Sequence, residues 1–346
     1  MSEKMRAVMK TREGPGVEVT EADIPSPAPG EVLIKTEAMS ICGTDVHIFH
    51  WDRWSERRVR PPIIIGHEFC GEVVEVAGDK SRLKLGDRVA AETHISDGTC
   101  YQCRTGNAHI CENVSILGVD RNGSFAEYVS IPIENAWPIR DNLSSEVASL
   151  MEPLGNAVHT AFSGRLEGSS VLVTGCGPIG LFSIAVSKAG GAGRVYATEV
   201  KPFRRELARK MGADVVIDPL TQEVEEIIME KTGGAGVDVL LEMSGHPDAL
   251  HQGLAALRKG GRASLLGIPS GSTELDLAEE VIFKEIEMKG ISGRLMFDTW
   301  YRMDSLFDSG KLDISPVITH RLPLDRFEEA VKLIDSGETG KVVLHH

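Results

Sequence analysis

Cys42, Thr44 and His47 fall in one short stretch, 39–50 (MSICGTDVHIFH), and a second stretch, 65–71 (IGHEFCG), sets His67 beside Glu68 between two glycines. A thiolate, an imidazole and a carboxylate are donors that zinc accepts. Three protein ligands with one open position make a catalytic site, because the open position takes water or a substrate oxygen. Alone, Cys42 would read as a small buried hydrophobe; the paired His67-Glu68 and a dinucleotide fingerprint downstream favour the ligand reading. The lesser alternatives are that Thr44 is only a turn residue and His47 an ordinary surface or core histidine. The six cysteines stand at 42, 70, 100, 103, 111 and 176. In a reducing compartment, Cys100, Cys103 and Cys111 suggest metal before disulfides, whereas Cys70 and Cys176 read as structural.

The fingerprint is Gly175-Cys-Gly177-Pro-Ile-Gly180, G-x-G-x-x-G, placed after a short apolar strand at 171–174 and before an apolar helix that runs through Lys188. The glycines allow a tight turn and close approach of backbone to a pyrophosphate, which the positive end of the helix then faces. A second strand, 195–199, ends in Glu199. Its offset from Gly175 is 199 − 175 = 24 residues, near the roughly 20 expected for the acid that holds the adenosine ribose hydroxyls. An acid there repels a 2′-phosphate, so NAD is expected rather than NADP, tempered by Arg204 and Arg205 just beyond.

The elements that must position these groups fall into two kinds. Residues 1–38, 63–92 and 124–139 are β-rich and broken by turns, as in EVLIKTEAM after Pro25, Pro27, Pro29 and Gly30; such strands suit a compact, mostly antiparallel barrel. Between them, 93–118 is a lobe rich in Gly, Cys and polar residues. From Ser144 the pattern turns helical (SSEVASLMEPLGNAVHTAF). Beyond the fingerprint, strands are expected at 213–218, 237–243, 262–268 and 286–292, with helices at about 203–211, 221–231 and 247–258. That alternation predicts a doubly wound parallel sheet. Leu266-Gly267-Ile268 and Ile291-Ser292 lie at strand ends, where such sheets bind ligands, though by pattern alone core packing accounts for these apolar residues slightly better. Amphipathic helices at about 298–309 and 325–336 precede a last strand, KVVLHH, expected to rejoin the N-terminal barrel.

With 346 residues, 42% apolar and 25% charged, the chain has room for two domains of ordinary globular composition. A net charge of −14 offers no basic stripe to nucleic acid or anionic lipid. No apolar run reaches transmembrane length, and MSEKMRAVMK lacks a signal segment, so a cytoplasmic protein with no membrane partner is expected.

Taken together, C-G-T-D at 42–45, G-H-E at 66–68, G-D-R-V at 86–89, the cysteine lobe, E-P at 152–153 and the fingerprint resemble the zinc-dependent medium-chain dehydrogenases over essentially the whole length. The stretches at 41–54, 92–95 (ETHI), 155–160 (GNAVHT), 241–245 (LEMSG) and 293–301 (GRLMFDTWY) are most similar to members that oxidise the 3-hydroxyl of L-threonine; a polyol or diol is the alternative substrate. The resemblance implies an α/β chain with a GroES-like β-barrel catalytic domain (1–153, carrying the lobe) and a Rossmann NAD-binding domain (154–296). Residues 297–346 would return to the first. It also implies NAD, two zinc ions per subunit, a homotetramer and functional coupling to a 2-amino-3-ketobutyrate CoA ligase.

Carried over by motif, Cys42, His67 and Glu68 would hold the catalytic zinc, with Glu152 a transient ligand or a group behind the ligands. Thr44 and His47 would relay the substrate proton, and His94 would line the substrate pocket. Trp51 and Trp54 could line it too, or simply pack. Gly175, Gly177, Ile179, Gly180, Glu199, Arg204, Leu266, Gly267, Ile268, Ile291 and Ser292 would contact NAD. One departure stands out: the family's structural zinc lobe usually has four cysteines, and here Asp97 occupies the first position, ahead of Cys100, Cys103 and Cys111. Zinc accepts a carboxylate oxygen, so a Cys3Asp site is expected.

Overall fold

The strand Glu31–Ser40 is long, mostly buried and rich in β-branched and apolar residues, and the first half of the molecule is built on it. The structure, a computed structural model, describes residues 3–78 and 82–346; residues 1–2 and 79–81 of the expected first domain lie outside them. Glu31–Ser40 pairs antiparallel with Glu68–Ala77 on one side, and with Tyr128–Pro132 and the C-terminal strand Lys341–His345 on the other. The sheet continues through Arg88–Ala91 to Ala136–Pro138 at one end and Ile318–Pro323 at the other. Smaller sheets join Glu18–Asp23, Lys4–Lys10 and Ile63–Ile64, and His94–Ile95 with Ser115–Ile116. The sheet's apolar side chains form one core with those of the helix Phe327–Ser336.

The second half carries six parallel strands: Ser170–Thr174, Arg194–Thr198, Val215–Ile217, Val237–Glu242, Leu257–Leu265 and Glu287–Gly290. In space their order is third, second, first, fourth, fifth, sixth, the order of a dinucleotide-binding sheet. The reversal falls between Ser170–Thr174 and Val237–Glu242. Central strands such as VLVT read as unbroken apolar runs because both faces are covered.

Chain contacts divide the protein into two units: Met1–Pro153 with Ile318–Gly337 and Lys341–His346, and Leu154–Val317 with Glu338–Gly340. The expected return to the first unit at 297 is therefore too early. The helix Asp298–Asp308 buries Trp300 and Met303 within the second unit, and the turn Ser315–Val317 packs on the helices Pro178–Ala189 and Pro202–Lys210. Other expected elements shift. The strand expected from 262 starts at Leu257, because Lys284 Nζ takes the carbonyls of Leu254, Ala255 and Leu257 at 2.7–2.9 Å and stops the preceding helix at Ala256. The strand Ile318–Pro323 and the helices Gly43–His50 and Arg53–Arg58 were not expected from periodicity, being short and carrying polar residues on their faces. Among the described residues no helix is long and apolar enough to cross a membrane.

Candidate active site

The helix Gly43–His50 starts directly after Cys42, whose extended backbone lets Asp45, three residues on, accept the Cys42 N–H at 2.9 Å. This reciprocal arrangement fixes the chain on both sides of the thiol. His67 and Glu68 lead into the next strand, where the register sets Glu68 opposite Ser40. Folding thus brings Cys42, His67 and Glu68 together, one donor atom from each lying within 4.8 Å of the others.

The surroundings of that cluster fit a cation. His67, Glu68 and Asp45 are buried, yet His67 Nδ1, Glu68 Oε1 and Asp45 Oδ1 have no hydrogen-bond partner among the described residues. Buried polar atoms are nearly always satisfied, and the exceptions call for a reason. Burial disfavours a charged His67, but Cys42, Asp45 and Glu152 outweigh it and raise the imidazole pKa to about 10. Burial likewise raises the Asp45 carboxyl to about 6. Asp45 Oδ1 faces His67 Nδ1 at 3.9 Å, the place of the carboxylate that orients a metal-binding histidine. Glu152 is buried and accepts the Thr93 hydroxyl at 3.1 Å; it stands outside the three-residue cluster, close enough to bias the charge on His67.

Thr44 and His47 share one face of their helix, three residues apart. Thr44 Oγ1 lies 3.7 Å from Cys42 Sγ. The His47 ring is 61% exposed and its Nδ1 meets Asp52 Oδ2 at 2.7 Å, while Asp52 Oδ1 caps the next helix through Ser55 N at 3.0 Å. His94 is half-buried; its N–H donates to Glu92 at 2.9 Å and its carbonyl accepts from Asn135 at 3.1 Å. Trp51 packs on the core under Lys10, whose ammonium is 4.7 Å from the ring, whereas Trp54 is exposed.

In the lobe, Asp97, Cys100, Cys103 and Cys111 also offer donors within 4.8 Å of one another. Sulfur–sulfur separations are 3.5 Å for Cys100–Cys103 and 3.8 Å for Cys100–Cys111, and Asp97 Oδ1 is 3.5 Å from Cys103 Sγ. Asp97 accepts the N–H groups of Thr99 and Cys100 and the Asn113 amide, which hold its carboxyl well below the usual range.

The second unit holds a cavity of about 580 Å³ lined by Gly175, Gly177, Glu199, Arg204, Ser244 and Gln252 among others. Each fingerprint glycine has a separate job. Gly175 has φ +83° and no room for a Cβ beside Ser244; Gly180 touches the Gly175 carbonyl; Gly177 opens on free space. These are the turn, the helix–strand contact and the approach to a phosphate. Glu199 accepts the N–H of Cys176 and of Lys201, both at 2.8 Å. Arg205 pairs with Asp218 at 3.0 Å, while Arg204 borders the cavity. Ile179, Gly180, Leu266, Gly267, Ile268, Ile291 and Ser292 are not among the residues lining it; Ile268 is largely exposed, and Ile291 N–H bonds to the Leu265 carbonyl. Burial pushes the Cys70 thiol up to about 12 and raises that of Cys176, as inert core thiols require.

Residues 28–141 match the alcohol dehydrogenase GroES-like domain and residues 178–309 the zinc-binding dehydrogenase family. L-threonine 3-dehydrogenase from Pyrococcus horikoshii is 51% identical over 99% of both chains. The chain belongs to the zinc-binding dehydrogenase family. It is an oxidoreductase with that family's two folds, a GroES-like domain and a Rossmann domain. Among solved structures, a protein from Sinorhizobium meliloti described as a zinc-binding dehydrogenase and bound to NADP superposes with a TM-score of 0.91 at 31% identity, covering all of both chains. A 2R,3R-butanediol dehydrogenase from Bacillus subtilis gives 0.89 at 30%, covering 99% of each.

Sequence reasoning about this dehydrogenase missed Ser40, Asp45, Asp52 and Lys341. Lys341 is fully buried and donates to Glu68 Oε2 and, at 3.0 Å, to the Ile41 carbonyl. Asp45 did leave a signal, as the acid three residues after the residue preceding a helix. Lys341 left none, since 273 residues separate it from Glu68.

Proposed function

We propose that this dehydrogenase oxidises the 3-hydroxyl of L-threonine with NAD, yielding 2-amino-3-oxobutanoate, NADH and a proton. The observation that carries the metal-dependent part is the convergence of Cys42 with the buried His67 and Glu68, with unsatisfied buried polar atoms around it. The substrate reading is supported by the threonine-dehydrogenase relative at 51% identity, against 30% for the butanediol enzyme. Zinc held by Cys42, His67 and Glu68 would supply a Lewis acid that lowers the pKa of the alcohol, and NAD a two-electron acceptor for the hydride.

The chain's own groups then handle the proton. Thr44, beside Cys42, takes it from the substrate hydroxyl while passing its own to His47. His47, oriented by Asp52 and open to solvent, releases it. Glu152 acts from behind the ligands or joins them, and His94 borders the substrate. Glu199 would hold the adenosine ribose, with Arg204 and the fingerprint glycines along the cofactor; Ile179, Leu266–Ile268, Ile291 and Ser292 would contact it elsewhere. Asp97, Cys100, Cys103 and Cys111 would hold a second, structural zinc. The reading extends to a cytoplasmic homotetramer in threonine degradation, feeding a 2-amino-3-ketobutyrate CoA ligase.

The deciding experiment is a substrate panel with NAD. L-threonine should be turned over far better than sorbitol or 2,3-butanediol, and chelation should abolish the reaction. Better turnover of the diol or polyol would reassign the substrate.

A further inference from the structure

Glu68 has two carboxylate oxygens in different situations. Oε2 accepts from both the Ser40 hydroxyl and the Lys341 ammonium. Oε1 is buried and accepts from no group among the described residues. The asymmetry is built by three strands. Ser40 lies opposite Glu68 on one side and opposite Val343 on the other, and Lys341, two residues from Val343, occupies the diagonal position on the same face. Lys341 is anchored from behind by the Ile41 carbonyl, so its ammonium cannot swing away without giving up that bond together with the one to Glu68.

We propose that Lys341, with Ser40, ties down one oxygen of Glu68, so that Glu68 offers a metal only the other and one coordination position stays free for a substrate oxygen. An untethered carboxylate can bind a cation through both oxygens, as it does for larger metals. Here that would close the position on which a catalytic site depends. Lys341 is thus a positioning residue: it touches neither substrate nor cofactor and acts through Glu68. The role rests on the reading of Cys42, His67 and Glu68 as a metal centre, and is independent of which alcohol the enzyme oxidises.

The test uses the full-length protein with cobalt(II) in place of zinc, titrated with imidazole, a neutral ligand that enters an open position. Losing a positive charge should not by itself weaken a neutral probe. The lobe site, with four protein ligands, does not respond. In Lys341→Met the imidazole affinity should fall by roughly ten- to a hundredfold, the range over which groups behind metal ligands act. The cobalt absorption should also change before any imidazole is added, as the second Glu68 oxygen takes the place of solvent on the metal. Ser40→Ala, which removes one donor and keeps the ion pair, should shift both readouts in the same direction by less, and decides the matter if Lys341→Met does not fold. A folded variant with unchanged imidazole affinity and unchanged cobalt absorption overturns the proposal. Absence of any imidazole-sensitive band in the unmodified protein overturns the metal centre itself, and this role with it. A metal centre that behaves as expected in a protein inactive on L-threonine leaves the role of Lys341 intact.

Discussion

Cys42 is half-buried and ends its side chain among His67, Glu68 and Thr44, so its removal should cost chemistry and little stability. Cys42→Ser should lower kcat/KM by at least about a hundredfold, with the thermal midpoint near that of the parent; near-native activity with full metal content would remove Cys42 from the ligand set. Glu199 makes a second residue-scale case. Its carboxylate repels a 2′-phosphate, so Glu199→Ala should raise the NADP-to-NAD ratio of kcat/KM by about tenfold, equivalent to 1.4 kcal/mol. The same carboxylate accepts two backbone N–H groups, from Cys176 and Lys201. The variant should therefore also lose about 1–3 kcal/mol of stability, measurable by denaturant titration. Equal rates with both cofactors in the unmodified protein would contradict the first half of this expectation.

Between elements, Asp238 is the fastener at the start of the parallel sheet. It accepts Ser170 N–H at 2.8 Å, the Ser170 hydroxyl at 2.7 Å and Arg258 Nε at 2.6 Å, joining three neighbouring strands. Burial works to raise its pKa, but Ser170 and Arg258 outweigh it and the value lies below the ordinary 3.8. A depressed carboxylate stabilises the fold above its unfolded pKa and loses that contribution as pH falls through the folded value. Asp238→Asn should accordingly cost about 1 kcal/mol at pH 7, discounted for its exposure, and the gap to the parent should close as the pH is taken below 3.8. In the lobe, Asp97 completes the four-donor cluster and accepts the N–H groups of Thr99 and Cys100. Asp97→Ala should release the structural zinc at lower chelator concentration while the other zinc stays, read as metal content per chain. Legibility followed range. Cys42, the His67-Glu68 pair, the fingerprint and the lobe spacing are local patterns whose chemistry needs only neighbours in sequence. Lys341, Asp238 and the boundary near Ile318 depend on pairings between distant strands, which leave no periodic trace in either partner. Helix and strand ends slipped for a related reason: Lys284 closes a helix that lies 28 residues before it, at Ala256.

For the molecule as a whole, the metal-replete protein should carry two zinc ions per chain. Stepwise chelation should separate loss of activity from loss of the lobe, checked by metal analysis against residual rate; a single zinc per chain would leave one of the two donor clusters without its role. The order of the segments has one more consequence. The second unit is continuous from Leu154 to Val317 apart from Glu338–Gly340, whereas the first is completed only by Lys341–His345, a strand that follows the whole of the second unit in sequence. Chains lengthen at about 5–20 residues per second, and domains fold as they emerge. The nucleotide-binding unit can therefore settle on the ribosome while the unit that emerged before it waits for its strand Lys341–His345. The cation beside Glu68 arrives after both units' other segments, so a nascent chain that has not reached Lys341 presents its thiolate and imidazole without the strand that completes their shelter. Ribosome-stalled chains should gain protease resistance in the second unit first, reversing the order of synthesis.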